Sequence, residues 1–419
     1  MPKKFYQLSR LERLAALQTE KTLTTGDAAF FRAGKSLTQQ RAGQLIENQL
    51  TTFSLPEGMA RQLLVNGKYY QVPMVTEEPS VIAAASNGAK LAVAGGGFTT
   101  NQPQRLLIGQ IIIIDIADMK KMQLQLEKSK TALLKIANAA HPSLQQRGGG
   151  AKWLRLRPLS QQELSLDLAV DVQQAMGANM VNTMLEAVAA ELRPHLQATI
   201  LMSILSNHGP DNLVTAKVAL PLAALSTAKI NGTLVASKIA AASRIAQLDP
   251  YRAVTHNKGI MNGITAATLA FGNDFRAIES AAHAFAVRNG QYRGLSQWQV
   301  RAKTLQGELT LPLPVGFVGG ATKALPAVKP NQRLAHIDSA EELMQVLCAL
   351  GLAQNLAALK ALVTTGIQQG HMALQVKSLA ISAGASTDEV LPLSNALKHA
   401  KTLDLTTAKQ LLHALRQQL

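Results

Sequence analysis

The sequence is poor in cysteine, aromatic and charged residues, and each shortage excludes a class of protein. With one cysteine, Cys348, the chain can form neither an internal disulfide nor a cysteine metal cluster. Aromatic residues make up 4%, so we expect a core of small and aliphatic side chains. Charged residues at 16% against hydrophobic residues at 47% are typical of a folded globular chain rather than a disordered one.

Long uninterrupted apolar segments are missing as well. The run from Ile111 to Ile114 is cut at once by Asp115, and no window approaches the roughly eighteen uncharged apolar residues of a membrane-spanning helix. The basic N-terminal segment, residues 1–5, lacks the apolar stretch of a signal peptide. The sequence therefore predicts a cytoplasmic protein that has no membrane partner.

Acidic residues are few relative to basic ones, which leaves a formal net charge of +16. A basic chain is often a nucleic-acid-binding protein. The 42 lysines and arginines are nevertheless dispersed, without a run of about five and without interleaved aromatic side chains for base stacking. We therefore expect no nucleic acid partner. We expect instead that the positive electrostatic field attracts phosphorylated small molecules such as nucleotide cofactors and coenzyme A.

Hydrophobic periodicity indicates both helices and strands. A capping box at Ser9 predicts a first helix, an Asn66–Gly67 turn predicts a hairpin, and residues 81–93 predict a helix that ends at a glycine triplet. Further helices are expected at residues 37–50, 119–139, 181–192, 341–350, 353–363, 371–382, 388–400 and 405–417, and strands at residues 62–65, 69–75, 105–116, 153–157, 164–172, 198–205 and 308–311.

The character of the sequence changes near residues 105 and 212. Between these points, strands with two interleaved helices interrupt stretches that are rich in alanine and helical in pattern. The sequence therefore predicts an α+β fold with a large mixed helical domain formed by residues 1–104 and 212–365. A small inserted α/β nucleotide-binding domain is expected over residues 105–211, and a C-terminal helical flap over residues 366–419.

The most informative segment is residues 249–263, which read DPYRAVTHNKGIMNG. It combines two cations with amide and hydroxyl side chains, which suit an anionic substrate that has a carbonyl group. Arg252 is suited to a carboxylate, and Lys258 to an oxygen that gains negative charge. Proline and glycine at the ends of the segment argue against one uninterrupted helix.

Three shorter motifs carry acid–base groups. Residues 77–80 read EEPS between a strand and a helix start, where Ser80 can cap the helix and Glu78 can point into a cleft. An FGNDFR segment places Asp274 after a glycine, where an aspartate alone is more typical of a turn. A GHMAL segment places His371 at a predicted helix start, where a lone histidine is more often structural than catalytic.

In their order along the chain, these motifs closely resemble those of class II hydroxymethylglutaryl-CoA reductases, the soluble bacterial members of that family. The resemblance extends from Glu47 to the helices beyond His371. It implies an oxidoreductase that makes mevalonate and free coenzyme A from hydroxymethylglutaryl-CoA (HMG-CoA) with two NAD(P)H, in the mevalonate pathway to isoprenoids. Phe275 replaces the family's tryptophan, and residues 47–51 read ENQLT instead of ENVIG.

The resemblance implies catalytic roles for four residues. Lys258 stabilises the oxyanion and Glu78 supplies protons, while Asp274 links the two. His371 protonates the departing thiolate of coenzyme A, because imidazole titrates near neutral pH. The side chains implied to hold the acyl portion of the substrate are Ser80, Arg252 and Asn262.

Residues 174–179 read QAMGAN and resemble the family's DAMGxN motif, with Gln174 in place of the aspartate. The segment lies between a strand and a helix, so backbone amides at the helix N-terminus can face a pyrophosphate. The cofactor-binding residues implied by this motif are Met176, Gly177, Ala178 and Asn179.

His141 stands where the NADH-dependent members carry an acid that binds the ribose hydroxyls. Loss of that acid removes repulsion against a 2′-phosphate, with which Arg147 or Lys152 can pair. We therefore expect NADPH as the cofactor, with NADH as the alternative.

The family works as a dimer with active sites at the subunit boundary, so the resemblance implies a homodimer or a multiple of dimers. Two other functions stay open at this point. One is a non-catalytic basic nucleotide- or RNA-binding protein, and the other is a reductase of a different acyl-CoA or aldehyde on the same fold. Oxidation of NADPH in the presence of HMG-CoA separates the expected enzyme from the first, and alternative acyl-CoA substrates separate it from the second.

Overall fold

The structure, a computed structural model, describes residues 3–34, 37–366 and 376–417. The helices there are α1 (Arg10–Thr19), α2 (Thr25–Ala33), α3 (Gln39–Gly43), α4 (Val81–Val93), α5 (Met119–Ala139), α6 (Pro142–Gln146), α7 (Ala178–Leu192), α8 (Gly232–Leu248), α9 (Pro250–Ala270), α10 (Phe275–Phe285), α11 (Ala321–Ala324), α12 (Val328–Ala335), α13 (Ala340–Val363), α14 (376–382), α15 (Val390–Lys398) and α16 (Leu405–Gln417). The strands are β1 (Glu57–Val65), β2 (Lys68–Val75), β3 (Thr99–Thr100), β4 (Leu106–Ile114), β5 (Gly150–Pro158), β6 (Leu164–Asp171), β7 (Thr199–Leu205), β8 (Leu213–Pro221), β9 (Val287–Arg288), β10 (Gln291–Tyr292), β11 (Ser296–Arg301) and β12 (Thr304–Pro312). This mixture of helices and strands confirms the predicted fold class.

One four-stranded sheet is formed by the middle of the chain, in the order β5-β6-β4-β7, with neighbouring strands antiparallel. Its interior strand β6 reads LSLDLAVD and is buried from Leu164 to Val170. The apolar sides of α5 and α7 pack against β4, β6 and their neighbours, so that one hydrophobic cluster lies within residues 107–192.

A second four-stranded sheet has the order β11-β12-β8-β3 and supports the other half of the molecule. Its aliphatic side chains pack with the β1–β2 hairpin and with α4, α8, α9 and α13 in a cluster that unites residues 60–98 with residues 214–359. A separate small cluster joins α14, α15 and α16. Buried leucines fix α1 against α12.

Helix α13 lies in the centre of the second cluster, and most of its 24 residues are buried. It carries Cys348, and complete burial raises the pKa of that thiol. Among the described residues α13 is the helix long and apolar enough to cross a membrane, with a mean hydropathy of 1.7, yet 72% of its apolar window is buried. The prediction that no window approaches the apolar composition of a membrane-spanning helix is therefore wrong. Helix α13 is apolar because it packs against α4 and α9 in the core.

Residues 250–263 lie within one continuous helix, α9, so the predicted interruption is wrong. Pro250 occupies the first helical position, where a missing N–H costs nothing, and Asp249 caps the helix through the N–H groups of Tyr251 and Arg252. Gly263 faces Gln354 of α13, where a Cβ would lie only 3.2 Å from Oε1. Close helix packing thus compensates for the low helix propensity of glycine.

Other elements also differ from the prediction. Helix α3 covers only Gln39–Gly43 of the expected 37–50, because the chain turns away and Asn48 takes a left-handed conformation with φ 54°. Residues 341–363 form one helix rather than two, since Ile264 of α9 packs directly over Gly351. Strand β8 lies where the sequence analysis places no strand, and its alternating buried residues match a strand that is exposed on one face.

The inner side of α9 is held by a buried polar cluster. Nε2 of His256 lies 2.7 Å from Oγ of Ser296 and 3.3 Å from Nδ2 of Asn355. The neighbouring Asn257 accepts the N–H of Leu295 at 2.8 Å and donates to the carbonyl of Arg293 at 2.9 Å. These contacts fix the rotation of α9, so that its other side, with Lys258, faces outward.

The imidazole of His256 should make stability depend on pH. Burial, and secondarily the charge of Arg252, lower its pKa to about 3 from the ordinary value of 6.5. Below pH 6.5 the unfolded chain therefore binds a proton that the folded chain does not, so stability falls as pH falls. We expect the free energy of unfolding to drop by about 2 kcal/mol from pH 7.5 to pH 5 through this group, measured by urea titration.

His256→Gln should remove this part of the pH dependence, because glutamine does not titrate. The exposed His208 provides a matched control, and His208→Gln should keep the wild-type slope. Equal slopes in the wild type and both variants would show that His256 titrates normally in the folded protein.

Candidate active site

The structure brings Glu78 and Lys258 together although they lie far apart in the sequence. Nζ of Lys258 is 3.2 Å from Oε2 of Glu78. The lysine side chain keeps 61% of its surface exposed and the glutamate side chain 33%. Because the pair is open to solvent, it contributes little to the free energy of unfolding, and both side chains can reach a ligand.

The EEPS motif positions Glu78 through local hydrogen bonds. The N–H of Glu78 donates to Oγ1 of Thr76 at 3.2 Å, which turns the chain between β2 and α4. Ser80 occupies the N-cap position of α4 but makes no capping hydrogen bond. Its hydroxyl donates instead to Oε1 of Glu78 at 3.1 Å, so the predicted capping role of Ser80 is wrong.

Helix α9 presents Lys258 and Asn262 one turn apart on its outer side. Arg252 lies near the start of the same helix and is half-buried, and desolvation lowers the pKa of its guanidinium. Its main-chain N–H is the group that bonds to Asp249, at 3.2 Å. The helix therefore carries an exposed Lys258 with Asn262 one turn further on, and a half-buried Arg252 near its start.

Asp274 is the N-cap of α10, the helix that follows α9. Its Oδ1 accepts the N–H groups of Arg276 at 3.0 Å and Ala277 at 3.2 Å, and it forms an ion pair with the Arg276 side chain at 3.3 Å. In the part of the chain that the structure describes, these bonds stand in place of the expected link to Glu78 and Lys258. The helix cap, rather than the lysine, fixes this carboxylate here.

The QAMGAN motif forms the start of α7, as the sequence predicts. Gly177 has φ 95° and is the N-cap of α7, and a Cβ there would lie 2.3 Å from the side chain of Val172. No side-chain hydrogen bond caps this helix at Gly177, so its first N–H groups are available to an anion. Met176 and Ala178 flank the glycine, and Asn179 is exposed in the first turn.

His141 and Arg147 lie in the turn that reaches the same end of the β5-β6-β4-β7 sheet. His141 precedes α6 and Arg147 follows it. The chain then enters β5, where Gly150 pairs with Asp171 just before the QAMGAN motif. The residues that the sequence predicts for ribose and pyrophosphate binding therefore lie at one edge of this sheet, where β5 begins and β6 ends.

An acidic residue that the sequence analysis did not single out also lies at this edge. Asp171 accepts the N–H of Gln173 at 3.0 Å and pairs with Lys152 at 3.6 Å. Lys152 also donates to the carbonyl of Gly148 at 3.1 Å. Strand pairing between β5 and β6 creates this contact, which no local motif indicates.

Gln174, the departure from the family motif, makes two hydrogen bonds to the start of α13. Its Oε1 accepts the N–H of Ala340 at 2.7 Å, and its Nε2 donates to Oε2 of Glu341 at 2.8 Å. A carboxylate at this position could accept the first bond but would repel Glu341. The amide at residue 174 therefore suits its surroundings at the start of α13.

The GHMAL motif with His371 lies outside the described residues. Two cavities within them lie away from Lys258 and Glu78. One, of about 470 Å³, covers the outer side of the β11-β12-β8-β3 sheet, and one of about 320 Å³ lies beneath α1. The Lys258 side chain is 61% exposed, so the region around it is open to solvent in the single chain.

This arrangement has defined chemical capabilities. A cation beside a carboxylate can stabilise a developing oxyanion and supply it with a proton. A bare helix N-terminus flanked by Lys152 and Arg147 can bind a phosphorylated cofactor.

Hydroxymethylglutaryl-coenzyme A reductases are similar to this chain in sequence. The family model described as hydroxymethylglutaryl-coenzyme A reductase matches residues 9–376. A 3-hydroxy-3-methylglutaryl-coenzyme A reductase of Archaeoglobus fulgidus is 41% identical over 98% of this chain and 94% of its own. A probable reductase of the same name from Borreliella burgdorferi is 36% identical over 80% of this chain and 77% of its own.

Solved structures agree with the sequence relatives. The 3-hydroxy-3-methylglutaryl-coenzyme A reductase from Streptococcus pneumoniae matches with a TM-score of 0.84 and 47% identity, over 98% of this chain and 99% of that one. A class II structure from the same organism, described as bound to NADPH in open conformations, matches with a TM-score of 0.83 and 48% identity over 98% and 100%. The chain belongs to the hydroxymethylglutaryl-coenzyme A reductase family.

Proposed function

We propose that the chain reduces HMG-CoA to mevalonate and free coenzyme A with NADPH, a step of the mevalonate pathway to isoprenoids. The observation that carries the site assignment is the ion pair between Lys258 and Glu78, which joins two motifs of the family that are 180 residues apart. It places a cation and a proton donor at one point on an exposed surface. The reaction needs both, because a carbonyl oxygen gains charge and then a proton.

Lys258 stabilises the substrate oxygen in both reductions, first of the thioester and then of mevaldehyde. Glu78, oriented by the hydroxyl of Ser80, supplies the proton that the alcohol product requires. Asp274, whose carboxylate caps α10 in the single chain, is assigned by its motif alone as the acid that tunes this pair. Arg252 and Asn262 hold the acyl portion through its carboxylate and hydroxyl groups.

His371 acts between the two reductions. The hemithioacetal formed from the thioester releases coenzyme A as a thiolate and leaves mevaldehyde. His371 protonates that thiolate, which prevents the reverse addition. The proposed role rests on its motif, since the residue lies outside the described range.

NADPH supplies the two hydrides when it is bound. The residues at the start of α7 fit its pyrophosphate, because Gly177 leaves the helix N-terminus uncapped by a side chain. Arg147 and Lys152 fit a 2′-phosphate, and Lys152 neutralises Asp171 at the same edge. The NADPH-bound class II relative supports the same choice of cofactor.

Three of the hydrophobic clusters support a division into domains. Residues 1–104 and 212–365 would form the substrate domain, residues 105–211 the cofactor domain, and residues 366–419 the flap. Each part has its own core, so the parts can shift relative to one another.

We also propose that the chain works as a homodimer in the cytoplasm. Leu50, Phe53 and Tyr251 leave 90% or more of their surface exposed, although side chains of this kind prefer burial. A second copy that covers them would also close the open surface beside Lys258. Sedimentation of the purified protein measures its oligomeric state directly.

The deciding assay for the function follows the absorbance of reduced nicotinamide. Oxidation of NADPH that depends on HMG-CoA supports the proposal, and mevalonate should accumulate at half the molar amount of NADP⁺. A chain that only binds nucleotide or RNA gives no oxidation. Activity with another acyl-CoA but not with HMG-CoA would replace the proposed substrate.

Lys258→Ala should abolish both reductions, because charge develops on the carbonyl oxygen in each. Loss of one such donor typically costs about 2.7–4 kcal/mol, so we expect kcat to fall by a factor of roughly 100 to 1,000. A matched control is Lys217, which forms a similar exposed pair with Glu308 at 3.3 Å. Lys217→Ala should keep full activity, and a folded Lys258→Ala variant with most of its activity would refute the assignment.

His141→Asp should shift the cofactor preference toward NADH, since an added carboxylate repels the 2′-phosphate. We expect the ratio of kcat/KM for NADPH to that for NADH to fall by roughly tenfold, equivalent to about 1.4 kcal/mol. His195→Asp adds the same charge near the far end of α7 and serves as the control. The same ratio in both variants would place the ribose pocket elsewhere.

His371→Gln should cripple conversion of HMG-CoA while largely sparing the reduction of free mevaldehyde, which has no thiolate to protonate. Both rates are measured on one preparation with NADPH. Equal losses in the two reactions would remove His371 from the role of thiolate acid.

A further inference from the structure

The segment Val315–Val318, here called the bridge segment, runs beside the proposed cofactor loop, residues 173–177. The N–H groups of Phe317 and Val318 both donate to the carbonyl of Gln174, at 2.8 and 3.2 Å. Ala175 and Val318 also form an isolated parallel β-bridge. The loop is therefore held by backbone from a distant part of the chain.

Gly316 brings the two segments into direct contact. A Cβ on Gly316 would lie 2.3 Å from the main-chain nitrogen of Met176 and 3.0 Å from the carbonyl carbon of Ala175. Both atoms are backbone, so they cannot move aside as a flexible side chain would. The position of Gly316 thus fixes how far the cofactor loop can approach the substrate domain.

Asn273 holds Gly316 from the other side. Its Oδ1 accepts the N–H of Gly316 at 2.7 Å, and its Nδ2 donates to the carbonyl of Gly316 at 3.0 Å. The same Nδ2 donates to the carbonyl of Phe271 at 3.2 Å. Since Asn273 directly precedes Asp274, one short chain of contacts connects that aspartate with Met176.

A second anchor supports the same loop. Arg105 is 8% exposed, and its Nη2 donates to the carbonyls of Gln173, Ala175 and Val315 at 2.6, 3.1 and 3.1 Å. The guanidinium joins the loop and the bridge segment through their main chains. It fixes the two segments to each other, whereas Asn273 fixes them to the start of α10.

We propose that Asn273, acting through Gly316, is a positioning residue that sets the cofactor loop against the catalytic helices α9 and α10. It does not touch the cofactor itself. The inference rests on the proposed function, in which the loop binds NADPH and Lys258, Glu78 and Asp274 act on the substrate. Its consequence is that NADPH binding depends on a side chain located next to the catalytic aspartate.

The test compares binding of NADPH with binding of HMG-CoA by the full-length protein. Asn273→Ala removes both hydrogen bonds to Gly316, and Gly316→Ala pushes on the loop by contact. We expect each to raise the Kd of NADPH about tenfold or more, measured by nicotinamide fluorescence, because small misplacements of binding groups are costly. The Kd of HMG-CoA, measured by calorimetry, should change by less than about twofold.

Two control variants match the substitutions. Asn101, whose Oδ1 accepts the N–H of Thr215 at 2.7 Å, joins segments away from the cofactor loop. Gly26 has room for a methyl group, with the nearest atom 3.9 Å from its Cβ position. Asn101→Ala and Gly26→Ala should leave both Kd values unchanged, whatever their effect on Tm.

Asn273→Asp keeps the acceptor for the Gly316 N–H and is the milder variant if Asn273→Ala does not fold. It should show the same selective loss, because a carboxylate cannot donate to the Gly316 carbonyl. An unchanged Kd for NADPH in the folded variants, or equal weakening of both ligands, would overturn the inference alone. A wild-type protein that does not bind NADPH would overturn the proposed function together with it.

Discussion

The packing of α9 against α13 is the constraint on which the site depends. Ile260, Ile264 and Gly263 face α13, and the buried contacts of His256 and Asn257 prevent α9 from rotating. Lys258 faces outward because apolar side chains and hydrogen-bonded polar side chains occupy the inner positions of α9. The electrostatics of the site are therefore set by packing, since the ion pair with Glu78 contributes little to holding the helix in place.

Helix N-termini organise the functional surface, and they do so in two different ways. The first N–H groups of α9, α10 and α13 are satisfied by Asp249, Asp274 and Ser339 together with Gln174. The N-terminus of α7 has Gly177 at the cap, which offers no side chain. Capped ends fix the helices rigidly, whereas an uncapped end retains donors for a ligand.

Elements whose formation depends on local residues are the ones that the sequence predicts. The hairpin at Asn66 and the helix over residues 81–93 follow from turn and cap residues, whereas α7 begins at Ala178, three residues before the predicted start. The contacts of Gln174 with α13 and of Asn273 with Gly316 join segments that are 166 and 43 residues apart. No periodicity or spacing indicates such pairs, because they depend on how whole elements pack. The continuity of α9 was missed for a related reason, as tertiary packing outweighs the weak propensity of its glycines.

The single cysteine has a practical consequence for observing the molecule. Cys348 is completely buried in the centre of α13, and its thiol pKa is raised, so reagents that need an accessible thiolate reach it only when this core opens. The rate at which Cys348 is modified therefore reports how often this core opens. A cysteine introduced on an exposed surface would react far sooner, which permits site-specific labelling of the wild-type framework without removing the native residue.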